Sequence, residues 1–138
     1  MHFLHIVISL AVAAASIDSS AQEAAAVRQL CSAGKSHAEV RACLHAKAEL
    51  SARELRQAED EMRKAIASWD QEPTDVRKSK AAFESSASEF VRHRQRHCEF
   101  AASLAAGGNS QGDLRLSCVY ELNGKRIIEI RQARVILQ

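Results

Sequence analysis

Aromatic residues are scarce in this 138-residue chain: four Phe, one Tyr and one Trp make up 4% of it. A core built with so few rings needs small side chains packed closely. Alanine supplies much of the 46% hydrophobic content, and alanine is the strongest helix former. Chain-breaking residues are also rare, with one proline, Pro73, and five glycines. Few breaks mean few, long elements. An excess of one charge is missing too, since 19 basic residues face 17 acidic ones for a net +2. That balance argues against a nucleic-acid partner, which calls for a strong basic surplus. The length fits one domain with one modest core. No internal repeat, paired strand pattern or low-complexity linker is present.

Long apolar runs are absent except at the start. Residues 3–15 have the length of a signal-peptide core, and Ser19-Ser20-Ala21 offers small residues for cleavage before Gln22. The run is preceded by His2 but by no Lys or Arg. The expectation is a signal peptide over 1–21, one domain over 22–138 and a periplasmic or secreted location, with no membrane association once the leader is gone. The first cysteine, Cys31, follows Leu30, where lipoprotein processing wants a small residue. A lipid anchor is therefore not expected.

Export changes how the cysteines read. Cys31, Cys43, Cys98 and Cys118 all lie beyond the leader, and their number is even. In an oxidising compartment this suggests two disulfides. Three pairings are open. The sequence-local one, Cys31 with Cys43 and Cys98 with Cys118, suits the helix plan that follows. Each closure is worth about 3 kcal/mol in the chain-entropy account.

The fold class expected is all-α: antiparallel helical hairpins or a three-helix bundle, with a short N-terminal helix and two disulfide staples. A helix from about Gln22 to Cys31 ends at Gly34. Ser36-His37-Ala38-Glu39 is a capping box that opens a long helix. Its apolar stripe runs through Leu44, Ala48, Leu55, Ala58, Met62, Ala65, Ile66 and Trp69 in steps of three and four, with one polar gap at Ser51. Pro73 sets its end near Gln71. Thr74 is the expected cap of the next helix, whose inner edge carries Phe83, Ala87, Phe90, Arg94, Cys98, Ala101 and Leu104. Gly107 is its expected left-handed stop. Ser110 and Asp113 open the last helix, which runs to about Val135. Gly124 lies inside it at a cost of about 1 kcal/mol and is read as a close helix contact.

Candidate chemistry is sparse. Arg94 and Arg126 fall on apolar faces and need carboxylate or carbonyl partners, with Glu54, Glu59, Glu121 and Glu129 at hand. His93 and His97 stand one turn apart beside Cys98, the residue types of a zinc site. Cys98 points about 100° away from His97 and is better used in a disulfide, so the pair reads as a solvated face and no metal or other cofactor is expected. The basic run from Arg92 to His97 can meet anions such as lipid head groups, but it has no interleaved aromatics for nucleic acid. No catalytic grouping has motif context, so an enzyme is not expected.

Three spaced groups resemble a known family. They are Phe90-x3-Arg94-x3-Cys98-Glu99-Phe100, then Gly107-Gly108-x-Ser110, then Cys118-x3-Leu122-x3-Arg126. Together they are similar to the LprI-type lysozyme inhibitors, small exported bacterial helical domains. The resemblance covers about residues 40–131. Phe90 replaces the family's usual tryptophan, and Asn123 stands where threonine is typical. The resemblance implies a structural motif of Phe90, Arg94, Gly107, Gly108, Leu122 and Arg126, and a protein partner, a lysozyme among the candidates. The loop residues Asn109, Ser110 and Asp113 are then the partner-binding candidates, since a glycine-rich loop held between stapled helices can enter an enzyme cleft at low entropy cost. The alternative is a periplasmic structural or stress-related module with another protein partner.

Overall fold

The computed structural model describes residues 19–33 and 35–137, with side chains from Ala25 onward. The expected signal peptide lies outside these residues but for its last three. Four helices follow in order: α1 (Ser19–Ser32), α2 (His37–Ala67), α3 (Pro73–Ser103) and α4 (Gln111–Val135). Among the described residues there is no strand, so the all-α class holds.

The capping box starts α2 as expected. Ser36 Oγ accepts from the Glu39 amide at 3.4 Å, and Glu39 Oε2 accepts from the Ser36 amide at 2.8 Å. Those bonds to the charged form hold the Glu39 carboxyl below its ordinary range. The buried stripe is Leu44, Ala48, Ser51, Leu55, Ala58, Met62 and Ile66. Ser51 is no gap: it is 2% exposed and part of the core. The helix ends at Ala67, four residues short of the expected stop. The Ser68 hydroxyl donates to the Lys64 and Ala65 carbonyls, tying off the last turn before Pro73 can act. Trp69 therefore leaves the helix and sits half-buried in the turn.

Glu72, not Thr74, is the N-cap of α3. It is extended (φ −54°, ψ 137°) because the following proline disfavours helix there, and Pro73 takes the first helical position. Thr74 instead accepts from Arg77. At its far end α3 stops at Ser103 rather than at Gly107. Ser103 Oγ donates to the Phe100 carbonyl at 2.6 Å, and Ala106 and Gly107 are both left-handed, with φ of +48° and +80°. The early stop turns Leu104 outward, 68% exposed, while Ala102 is fully buried. Ser110 begins α4 in helical conformation without a side-chain cap.

The bundle has two parallel helices and one antiparallel. Arg41 at the start of α2 reaches Asp113 at the start of α4, Ser51 meets Asn123 midway, and Glu61 meets Arg134 near both ends. Hence α2 and α4 run the same way, and α3 returns between them. Helix α4 packs on all three others and most extensively on α2. Contacts on three sides explain why its sequence shows no single apolar stripe.

Two apolar clusters result. Near the loops, Val27, Cys31 and Leu44 pack with Val40, Cys43, Leu116 and Tyr120. Farther down, Leu55, Ala58, Met62, Ile66, Ile127 and Ile130 pack with Val76, Phe83, Phe90 and Leu137. The large members of the second cluster are each worth about 1.5–3 kcal/mol. Both disulfides form with the expected partners. Cys31–Cys43 and Cys98–Cys118 have Cα atoms 5.7 and 5.5 Å apart, and no described cysteine is free.

Candidate functional site

Of the family-like motif, Phe90, Arg94 and Arg126 form one layer at the edge of the second cluster, while Gly107 and Gly108 lie in the loop after α3. Phe90 lies between two guanidinium groups, Arg94 at 5.5 Å and Arg126 at 5.7 Å from its ring centre. Both distances lie in the cation–π range. Arg94 Nη1 donates to Asn123 Oδ1 at 2.5 Å, Asn123 Nδ2 donates to Ser51 Oγ at 2.9 Å, and Ser51 Oγ donates to the Ala48 carbonyl at 2.8 Å. Asn123 is fully buried. This relay ties α3, α4 and α2 through one chain of hydrogen bonds.

Of the carboxylate or carbonyl partners expected for Arg94, the structure supplies a carbonyl, the side-chain amide oxygen of Asn123. A buried guanidinium without an adjacent carboxylate loses solvation, and the Arg94 pKa falls for that reason, with Glu59 partly opposing the fall. Glu59 lies against Arg63 at 3.8 Å and Glu121 against Lys125 at 2.7 Å. Only Glu129 serves as foreseen, 3.2 Å from Arg126 Nη1, while Arg126 Nη2 donates to Ser86. Arg126 Nε is buried with no partner among the described residues. Leu122 is half-buried beside this layer.

The loop after α3 is the second constellation. Residues 106–110 are exposed, Gly107 supplies a left-handed turn and the Gly108 amide donates to the Ala105 carbonyl at 2.9 Å. A left-handed alanine at 106 costs about 1–2 kcal/mol, and neighbouring structure must hold it. One holder is the Cys98–Cys118 bond on the two flanking helices. The other is Arg41, which sequence periodicity did not single out. Its Nη2 donates to the Asn109 carbonyl at 2.7 Å and its Nε to Asp113 Oδ1 at 3.0 Å. A Cβ on Gly112 would stand 3.3 Å from that guanidinium, so glycine leaves room for it. Asp113 is 8% exposed, and its carboxylate also lies 3.6 Å from His37. It faces into the molecule, whereas Asn109 and Ser110 face solvent.

The histidine pair stacks on the outside of α3 with ring centres 5.5 Å apart, and Cys98 is spent in its disulfide. Among the described residues no group of three His, Cys, Asp or Glu side chains could hold a metal ion. Gly124 is not a close helix contact: a Cβ there meets nothing within 4 Å. It lines a groove of about 430 Å³ bounded by Val27, Leu30, Glu54, Tyr120 and Ile128. No described helix is long and apolar enough to cross a membrane.

No curated protein and no solved structure matches the chain. A family match does exist, to the lysozyme inhibitor LprI, and it spans residues 31–130. It takes in both disulfides, the Phe90 layer and the loop. The chain therefore belongs to the LprI lysozyme inhibitor family.

Proposed function

We propose that this protein is an exported inhibitor that presses the loop of residues 104–110 into the cleft of a lysozyme. Signal removal before Gln22 would deliver it to the periplasm or beyond. Two disulfides support a compartment outside the cytosol. Inhibition of this kind is occlusion, not chemistry. It needs no cofactor and no catalytic group of its own.

The observation that carries the reading is the family match together with a loop fixed before any partner arrives. A loop already ordered loses little conformational entropy on binding. A glycosidase cleft presents a pair of carboxyl groups. The exposed Asn109 amide and Ser110 hydroxyl are donors suited to them.

Lysozyme-driven clearing of a bacterial suspension, followed by turbidity, tests the proposal. Excess oxidised protein should slow clearing in proportion to the complex formed. Clearing at full speed under a large molar excess overturns it. Arg41→Ala should weaken inhibition about tenfold by releasing the Asn109 carbonyl, with both disulfides still formed by mass.

A further inference from the structure

The outward face of α3 carries an arrangement that the fold does not use. Ala87, Cys98 and Ala102 bury the opposite side of this helix. Leading toward the loop, His93, Arg96, His97, Phe100 and Leu104 follow in helical steps along the exposed side. Phe100 is 61% exposed and Leu104 is 68% exposed. Single exposed apolar residues are ordinary, but two on successive turns form a contiguous apolar step, rimmed by the polar Arg96 and His97, of the kind that marks an interaction surface. Glu89, one turn before His93, is hydrogen-bonded by Arg92, and its carboxyl is held below the ordinary range chiefly by that bond, while Glu99, within the stretch, is paired with Arg115 on α4 at 2.7 Å. Arg96 is left without a carboxylate partner of its own among the described residues. The stacked His93 and His97 rings form a ledge beside it.

The charge on this ridge decides between two kinds of occupant. Docking on an anionic lipid surface takes four to eight Lys or Arg at about 1 kcal/mol each. Here there are two, and one is tied to Glu89. A protein groove lined with carboxylates offers more, because a cation meets its partner there with water excluded. The ridge also runs directly into the loop of residues 104–110, so the two surfaces can meet one partner together.

Building on the inhibitor reading above, we propose that this ridge is the second half of the inhibitory surface. Phe100 and Leu104 fill apolar sugar-binding subsites along the cleft wall of a lysozyme, and Arg96 meets an acidic residue at its edge. Preference for lysozymes with acidic clefts then comes from α3, not from the loop.

The test compares Phe100→Ser/Leu104→Ser, Arg96→Glu and, as a control off the ridge, Val91→Ser. Affinity for lysozyme is measured by calorimetry at low and moderate salt, alongside turbidity. The double variant should lose about 30-fold in affinity. Arg96→Glu should lose about tenfold and most of the salt dependence. Val91→Ser should bind like the parent. All three side chains of the ridge variants are exposed, so thermal unfolding should be unchanged. Full affinity in both ridge variants overturns the ridge and leaves the loop reading standing. A parent protein that neither binds nor inhibits lysozyme overturns both. Flotation with phosphatidylglycerol vesicles is run in parallel. Vesicle binding lost in the ridge variants, with lysozyme affinity unchanged, would overturn the proposal in favour of a membrane.

Discussion

The two ends of this bundle are held by different physics. At the loop end the apolar cluster is small, with Val27, Cys31 and Leu44 as its buried members. Both disulfides cross that end, and Arg41 clamps the α4 start to α2. At the far end no disulfide is present. There Leu55, Met62, Ile66, Ile127 and Ile130 form a larger apolar cluster, and Arg63–Glu84 and Arg134–Glu61 bridge helices at its surface. Between them lies the Arg94–Asn123–Ser51 relay. The contrast follows from what each end can bury. An exposed, glycine-rich loop cannot be ordered by burial, so covalent closure and a guanidinium clamp stand in for it. The far end buries more apolar surface and is ordered mainly by packing, with ion pairs at its surface.

The strongest way to break this comparison is reduction. The bonds close separations of 12 and 20 residues, each worth about 3 kcal/mol. Losing both removes about 6 kcal/mol, a large share of the usual 5–15 kcal/mol of a domain. Amide exchange should show the loop end opening first. Residues 98–118 should lose protection while amides near Leu55 and Ile66 keep theirs in mild reductant. Protection falling evenly along the chain would mean the two ends are one cooperative unit.

The relay offers the next largest effect. Asn123→Ala leaves Arg94 and Ser51 each short of a buried partner and opens a small cavity. A loss of about 2–4 kcal/mol is expected by chemical denaturation. A loss below about 1 kcal/mol would show that water replaces the amide, and the relay would then not separate the two clusters.

How much of this was legible beforehand depends on range. The Ser36–Glu39 box, the restart of the chain at Pro73, the end of α4 at Val135 and the two cysteine pairings all rest on spacings along one helix or across one turn, and all appear as read. The Arg41–Asp113 clamp and the Ser51–Asn123 bond each join residues 72 apart. Polar pairs at that distance leave no periodic trace. Ser51 looked like a gap in a stripe because one partner of its hydroxyl, Asn123, comes only with the parallel packing of α2 and α4, while the other, the Ala48 carbonyl, lies in its own helix. The ends of α2 and α3 were misjudged for a local reason, because Ser68 and Ser103 tie off last-turn carbonyls before the proline and glycine are reached.

Gly124 sharpens the comparison with a smaller change of opposite sign. It sits in the interior of α4 beside the groove next to α1, and a Cβ there meets nothing. Gly124→Ala should therefore stabilise by about 1 kcal/mol, read as a higher denaturation midpoint with unchanged slope. Destabilisation would show that the groove closes in solution more than its shape suggests.

The smallest effect separates the ends by acid. Glu84 bridges α3 to Arg63 on α2, and that guanidinium holds its carboxyl below the ordinary value of 4.5. A carboxyl lowered on folding adds stability that is complete above its unfolded pKa and is lost as pH falls through the folded one. Glu39 is lowered as well, but by its own cap at the stapled end, where the disulfides remain in force at any pH. Below about pH 4 the far end should thus loosen first. Trp69 is the sole tryptophan and lies half-buried in the α2–α3 turn, so its fluorescence reports that end. Glu84→Gln should flatten the acid limb of the Trp69 signal, and Glu39→Gln should leave it in place, because a glutamine also completes a capping box. Equal flattening by both would mean that acid loosens the bundle as a whole, and that packing and staples do not divide it.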